Sequence, residues 1–257
     1  TLHYDAIIAY VNWGINHLDN EKLMAELTDG LSQCNTTTNK QEKGLMFLLL
    51  GDIFLKNKDL DKANEYFDKS FELITGKYVA SDYFYRKSEV AILRPNYEEA
   101  KSFLLKGVES LKGESVYIYP SYLNKLGYVS IMLDDLTSAK KYLTEALHYQ
   151  KNNDFKNALA ETYLYLSLLS KLKRDPSEKE YLDWSNHFNK DNLFLQSKIY
   201  LAYKDYFSRN SNPKKEHEYF LKYNSINDSI FSSEKAKIRI NLETRYQLKE
   251  RQKEIKF

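Results

Sequence analysis

The chain has 257 residues, among them 22 Tyr and 13 Phe but only 8 Gly and 4 Pro, a balance that suits long helices joined by short turns. Its 38 basic and 36 acidic residues leave a formal charge of +2, which argues against nucleic-acid binding as its main function. No apolar run approaches the roughly 20 residues needed to cross a bilayer, so membrane attachment would require a segment this chain lacks. The single Cys34 excludes an intramolecular disulfide and leaves the redox compartment open. A first residue of Thr1 rather than Met reads as a processed or partial chain.

Taken in order, the sequence predicts about six helical hairpins and one last helix. Tyr4 to Leu18 and Glu21 to Cys34 form the first pair, with Ile7, Ile8, Val11 and Ile15, then Leu23, Leu27 and Leu31, at helical spacing. Asn35 to Lys40 is a polar, turn-forming stretch. A phrase then recurs at intervals of roughly 36 to 40 residues, the length of a solenoid repeat. Its first copy has Phe47, Leu50, Gly51 and Phe54 on one helix, the break Asn57-Lys58-Asp59, and Ala63, Phe67 and Ser70 on the next. The second has Phe84, Ser88 and Ala91, the break Arg94-Pro95-Asn96, and Ala100, Leu104 and Gly107. The third has Leu123, Leu126 and Gly127, the break Asp134-Asp135, and Ala139, Leu143 and Ala146. Small residues at Gly51, Ala63, Ala100, Gly127 and Ala139 let paired helices approach closely, and Phe47, Phe54, Phe67 and Leu143 fill the space between hairpins.

The pattern then weakens. Tyr163, Leu166 and Ser170 precede Asp175-Pro176, with Glu178, Leu182 and Ser185 in the places of the small, bulky and small residues. The last hairpin reads Tyr200, Tyr203 and Phe207, a break at Asn210 to Pro213, then Glu216, Phe220 and Tyr223.

These copies resemble the tetratricopeptide repeat, whose signature is a bulky residue, Leu-Gly, an aromatic, then Ala, Phe and Ala across two antiparallel helices. The resemblance implies an all-α, right-handed superhelix of hairpins over residues 1–232. Residues 1–40 are then a degenerate N-terminal cap, 41–151 the clear repeats and 152–232 the divergent ones. Residues 233–257 differ in kind: Ile238, Leu242, Leu248 and Ile255 stand among alternating Lys, Arg and Glu with no Gly or Pro, an amphipathic charged helix. Asp228-Ser229-Ile230-Phe231 and Leu242-Glu243-Thr244-Arg245-Tyr246 resemble the segment that joins a repeat domain to its membrane anchor in bacterial sensor kinases and membrane-bound transcription regulators. That resemblance covers roughly the last 30 residues and implies a periplasmic repeat domain; a solvated capping helix, and a cytoplasmic chain, are the alternatives.

Catalytic chemistry finds little support. His3, His17, His148, His187 and His217 are scattered without metal-ligand spacing. Gly51, Gly107, Gly113 and Gly127 stand alone rather than in a phosphate-binding loop. Cys34 reads as a packing residue, and Asp59-Asp61, Glu98-Glu99 and Asp134-Asp135 sit at turns or first helical turns, where acids complement the helix dipole. No catalytic residue, metal or cofactor is expected.

What remains is the concave surface that stacked first helices line. In the tetratricopeptide family the inner positions are the second, fifth, ninth, twelfth and thirteenth. With Gly51, Ser88 and Gly127 as the eighth, these fall on Leu48, Asp52, Leu55 and Lys56; on Tyr85, Glu89, Ile92 and Leu93; and on Ser121, Asn124, Tyr128, Ile131 and Met132. Leu48, Asp52, Lys56, Tyr85, Glu89, Asn124, Tyr128 and Met132 are the candidate contacts for a peptide or protein ligand. The family's carboxylate clamp is not expected, since it wants Lys and Asn where Leu48, Asp52, Tyr85, Glu89 and Tyr128 stand, and an acidic lining would repel a C-terminal carboxylate. The sequence therefore predicts a non-catalytic peptide-binding module, the sensing region of a bacterial signalling protein or transcription regulator, with weak homodimerisation through residues 233–257. A free-standing adaptor is the alternative, and a peptide-responsive phosphatase-like repeat protein a third.

Overall fold

The structure, a computed structural model, describes residues 2–14, 20–34, 39–74, 77–111, 117–152 and 156–232. The helices are α1 (Leu2–Gly14), α2 (Asn20–Gln33), α3 (Lys40–Lys56), α4 (Leu60–Leu73), α5 (Lys77–Leu93), α6 (Tyr97–Ser110), α7 (Tyr119–Met132), α8 (Leu136–Asn152), α9 (Lys156–Lys173), α10 (Glu178–Phe188) and α11 (Leu193–Arg209). Residues 213–232 are also helical, and no strand occurs among the described residues. The chain is all-α, built of tetratricopeptide-type hairpins. It divides into two compact units, Thr1–Tyr149 and Gln150–Phe257. The proposed amphipathic helix at 233–257, like Ile15, lies outside the described residues.

Four of the described hairpin turns share one device. Asp59 N–H donates to Phe54 C=O and Lys58 N–H to Leu55 C=O, the paired bonds that close a helix on a left-handed residue. The pattern recurs at Asp135 to Ser130 and Asp134 to Ile131, at Asp175 to Ser170 and Arg174 to Lys171, and at Asn212 to Phe207 and Ser211 to Ser208. Lys58, Asp134, Arg174 and Ser211 accordingly have φ of 61, 58, 54 and 53°. The residue after each then caps the next helix or turn with its side chain. Asp59 accepts from Lys62 N–H, Asp135 from Ser138 N–H and Asn212 from Lys215 N–H, while Asp175 accepts from Ser177 N–H. At Asp59, Asp135 and Asn212 one residue thus ends one helix and begins the next, which fixes the length of the connection. In the second copy Asn96 keeps the long bond to Ala91 and the cap to Glu99 N–H, but Pro95 has no N–H for the shorter bond.

The small residues sit where the bulky ones land. A Cβ on Gly51 would fall 2.3 Å from the Phe67 ring, and one on Gly127 would fall 2.5 Å from Leu143. Phe67, Leu104 and Leu143 are fully buried, as are Ala63, Ala100 and Ala139 one turn earlier on the same helices. Between successive hairpins of the first unit, Gly107 receives Tyr122, whose hydroxyl reaches the Ser81 carbonyl.

In the second unit, Leu182 and Ser185 are fully buried, and Ser185 Oγ donates to Ala160 C=O at 2.7 Å. Glu178, standing where the repeat wants Ala, is buried and accepts from Arg209 at 2.5 Å, which supplies the countercharge that burial demands. The last hairpin departs from the expected register. Phe220 is 42% exposed, and Tyr219 takes its place, stacking on Tyr203 at 4.4 Å and on Phe207 at 5.5 Å. Lys204 stands at the position that Gly51 holds in the first copy.

Candidate functional site

Three first helices, α3, α5 and α7, line a cleft of about 260 Å³ in the first unit, bounded by Asp52, Asp82, Tyr85, Arg86, Glu89, Ile118 and Ser121. Asp52 follows Gly51, so the close packing that buries the glycine presents the carboxylate to the next hairpin. There Arg86 donates to both its oxygens, Nε to Oδ1 at 2.6 Å and Nη2 to Oδ2 at 2.8 Å, and also pairs with Asp82 one turn away on α5. The same relation recurs one hairpin on, where Lys125 meets Glu89 at 3.0 Å. The acid after the small residue of one hairpin thus pairs with the base two residues before the small residue of the next.

The electrostatics follow from this geometry. Burial raises the Asp52 carboxyl above its ordinary value, and Arg86 only partly offsets that. Burial works against the Arg86 charge, yet Asp52 and Asp82 more than compensate and hold the guanidinium protonated. Tyr85 packs edge-on to Tyr122 at 5.2 Å with Lys125 Nζ 5.3 Å from its ring centre. Burial also pushes the Tyr122 hydroxyl above its usual range, and nearby Asp82 adds to that. The cleft therefore combines three carboxylates with the Arg86 guanidinium, an aromatic wall at Tyr85 and an apolar edge at Ile118, and Lys125 pairs with Glu89 beside it.

Of the residues singled out in the sequence, Asp52, Tyr85, Glu89 and Ser121 line the cleft. Leu48 is buried with Phe54, Phe67 and Val90, Asn124 is 2% exposed, and Ile131 is buried as well, so these three are packing residues rather than lining. Tyr128 is half-buried in the cluster around Tyr122 and is hydrogen-bonded to Tyr97. Lys56 and Met132 are exposed at the ends of α3 and α7, outside the cleft. The expected acidic lining is largely neutralised, since Asp52 and Glu89 are each paired across a hairpin boundary. Asp82, Arg86 and Ile118 are the lining residues that the inner-position rule passes over; the 34-residue spacing of Asp52 and Arg86 was the signal for the pair. Cys34 is buried against α2 and α3 residues, and burial raises its thiol, as befits a packing residue.

The fold and cleft define a helical-hairpin repeat chain with a polar concavity on its first helices. Residues 46–75 match the tetratricopeptide repeat family. No curated protein matches the sequence. Among solved structures the chain is similar to RapI in its apo form, at 13% identity over 90% of this chain and 85% of that one, with a TM-score of 0.71. It is similar to PilF of Pseudomonas aeruginosa at 17% identity over 90% and 97% of the two chains, and to BtubC (BKLC) of P. vanneervenii at 13% over 88% and 92%, each with a TM-score of 0.61.

Proposed function

We propose that this chain is a non-catalytic recognition module that binds a peptide or protein segment in the first unit's cleft, as the sensing region of a bacterial signal-transduction protein or transcription regulator. The cleft itself carries the binding reading: three successive hairpins line it, and its charges are tied across their boundaries. A ligand there touches three hairpins at once, so its binding favours one stacking geometry over others and converts occupancy into a change of shape. Stacked helical hairpins are built for this use of their inner surface, and the repeat match at residues 46–75 supports it. The regulatory part of the reading, with the chain on the periplasmic face of an inner membrane, is supported by the sequence of the last 30 residues, most of which lie outside the described ones.

Selection of displayed random peptides tests the binding reading. Selected peptides should lose about tenfold or more in affinity for a chain carrying Tyr85→Ala and Glu89→Ala, since a few central anchors carry most of such an interaction. Peptides that bind both chains equally would place recognition elsewhere. The gene beyond Phe257 tests the regulatory part separately: an apolar stretch of spanning length supports the sensor, and a stop codon the free-standing adaptor.

A further inference from the structure

The second unit carries a surface of opposite chemistry on its own first helices. α9 and α11 lie side by side, with Leu164 of α9 in the cluster of Ile199, Tyr203 and Phe207, and with Lys171 paired to Asp205 at 2.8 Å. In this register the place of Asp52 and Glu89 is taken by Leu168, which is half-buried. Leu172 at the end of α9 is 48% exposed and Leu201 of α11 is 45% exposed, with Phe194 at 61% one face-length before it. The flanking charge is basic. α9 and α11 bear Lys171, Lys173, Lys198, Lys204 and Arg209 against only Glu161 and Asp205. Lys173, Arg174 and Lys198 are exposed, and among the described residues no acid pairs with them. Exposed leucines bordered by uncompensated cations need a partner that supplies both apolar side chains and carboxylates.

We infer that the α9–α11 face is a second recognition surface, and that its partner is an acidic amphipathic protein segment whose leucine-like side chains cover Leu168, Leu172 and Leu201 while its carboxylates meet Lys173, Arg174 and Lys198. The first unit's cleft has its acids already paired and an aromatic wall, so the two surfaces select different ligands.

The probe is a fluorescent peptide of repeating Leu-Leu-Glu-Glu, titrated into the full chain and followed by anisotropy. Two controls accompany it: the same peptide with Lys for Glu, and one with Ser for Leu. Saturable binding of the Glu peptide alone is expected, weakening as salt is raised because the cations are exposed. Leu172→Ser with Leu201→Ser should weaken it about tenfold or more, as loss of central apolar anchors does. Lys198→Glu should weaken it severalfold, and Lys140→Glu on α8 should leave it unchanged. Circular dichroism of each variant confirms the fold, and these exposed positions leave the core intact. Absence of saturable binding, equal affinity for the Lys peptide, indifference to the leucine changes, or stronger attachment to anionic lipid vesicles than to the Glu peptide would each overturn the inference.

Discussion

Arg86 holds Asp52 through two hydrogen bonds of 2.6 and 2.8 Å that cross from one hairpin to the next. With 18% and 19% of their side chains exposed, the two groups are mostly shielded from water. Removing one partner strands the other, so Arg86→Met should destabilise the first unit by about 2 to 4 kcal/mol. The dependence on pH gives the sign. The folded Asp52 carboxyl titrates above its ordinary value of 3.8, so its contribution to stability is present below that value and is lost as pH rises through the folded one. The Arg86→Met deficit should therefore shrink as pH falls through this range, because a neutral Asp52 needs no partner. A deficit in urea unfolding that is constant with pH would show that the pair is not the cause.

Gly127 faces Leu143 so closely that even a methyl group falls 2.5 Å from its Cγ. Gly127→Ala gains helix propensity, but the clash outweighs that gain, and Gly127→Leu should cost about 1 to 3 kcal/mol as overpacking does. Leu143→Ala should relieve part of the Gly127→Ala penalty in a double-mutant cycle. Additive effects in thermal unfolding would mean that the two residues do not meet.

At the turns, Lys58 and Asp134 adopt left-handed backbone at φ 61° and 58°, where a side chain costs roughly 1 kcal/mol or more. Asp134→Gly and Lys58→Gly should each raise stability by about 0.5 kcal/mol, the relief of strain exceeding the extra unfolded-state entropy of glycine. Pro95 occupies the same place in the second copy, where its ring opposes positive φ, so Pro95→Asn should also stabilise. A lower denaturation midpoint in any of the three would contradict the shared turn.

This turn also marks how far the sequence could be read. Gly51, Gly127, Phe67 and Leu143 announced the first hairpins because only a missing side chain lets a ring or a leucine in at that distance. The turn itself was hidden, since its left-handed residues are Lys, Asp, Arg and Ser rather than Gly. In the last hairpin the bulky residue was sought at Phe220, yet Tyr219 packs instead, in a helix where Lys204 stands in place of the small residue. In the cleft, Asp52, Tyr85 and Glu89 were found by position along the repeat, while Arg86 was missed because it lies two residues before the small one and matters only through its neighbour. Leu48 and Asn124 occupy inner positions but are turned into the packing.

Residues 233–257 carry Ile238, Leu242, Leu248 and Ile255 along an otherwise charged stretch. We propose that this stripe pairs weakly with a second copy, since roughly three heptads make a marginal coiled coil. Sedimentation of the chain with and without this stretch should show concentration-dependent dimer only in the longer form. Monomers in both across the micromolar range would rule out this dimer.

Peptide recognition by the first helices of the first unit is what we propose for this chain. Hydrogen–deuterium exchange of the chain, with and without a peptide selected for binding, tests it most directly. Added protection is expected in α3, α5 and α7 around Asp52, Asp82 to Glu89 and Ile118 to Ser121; protection confined to α4, α6 and α8, or absent from the first unit, would rule out recognition in this cleft.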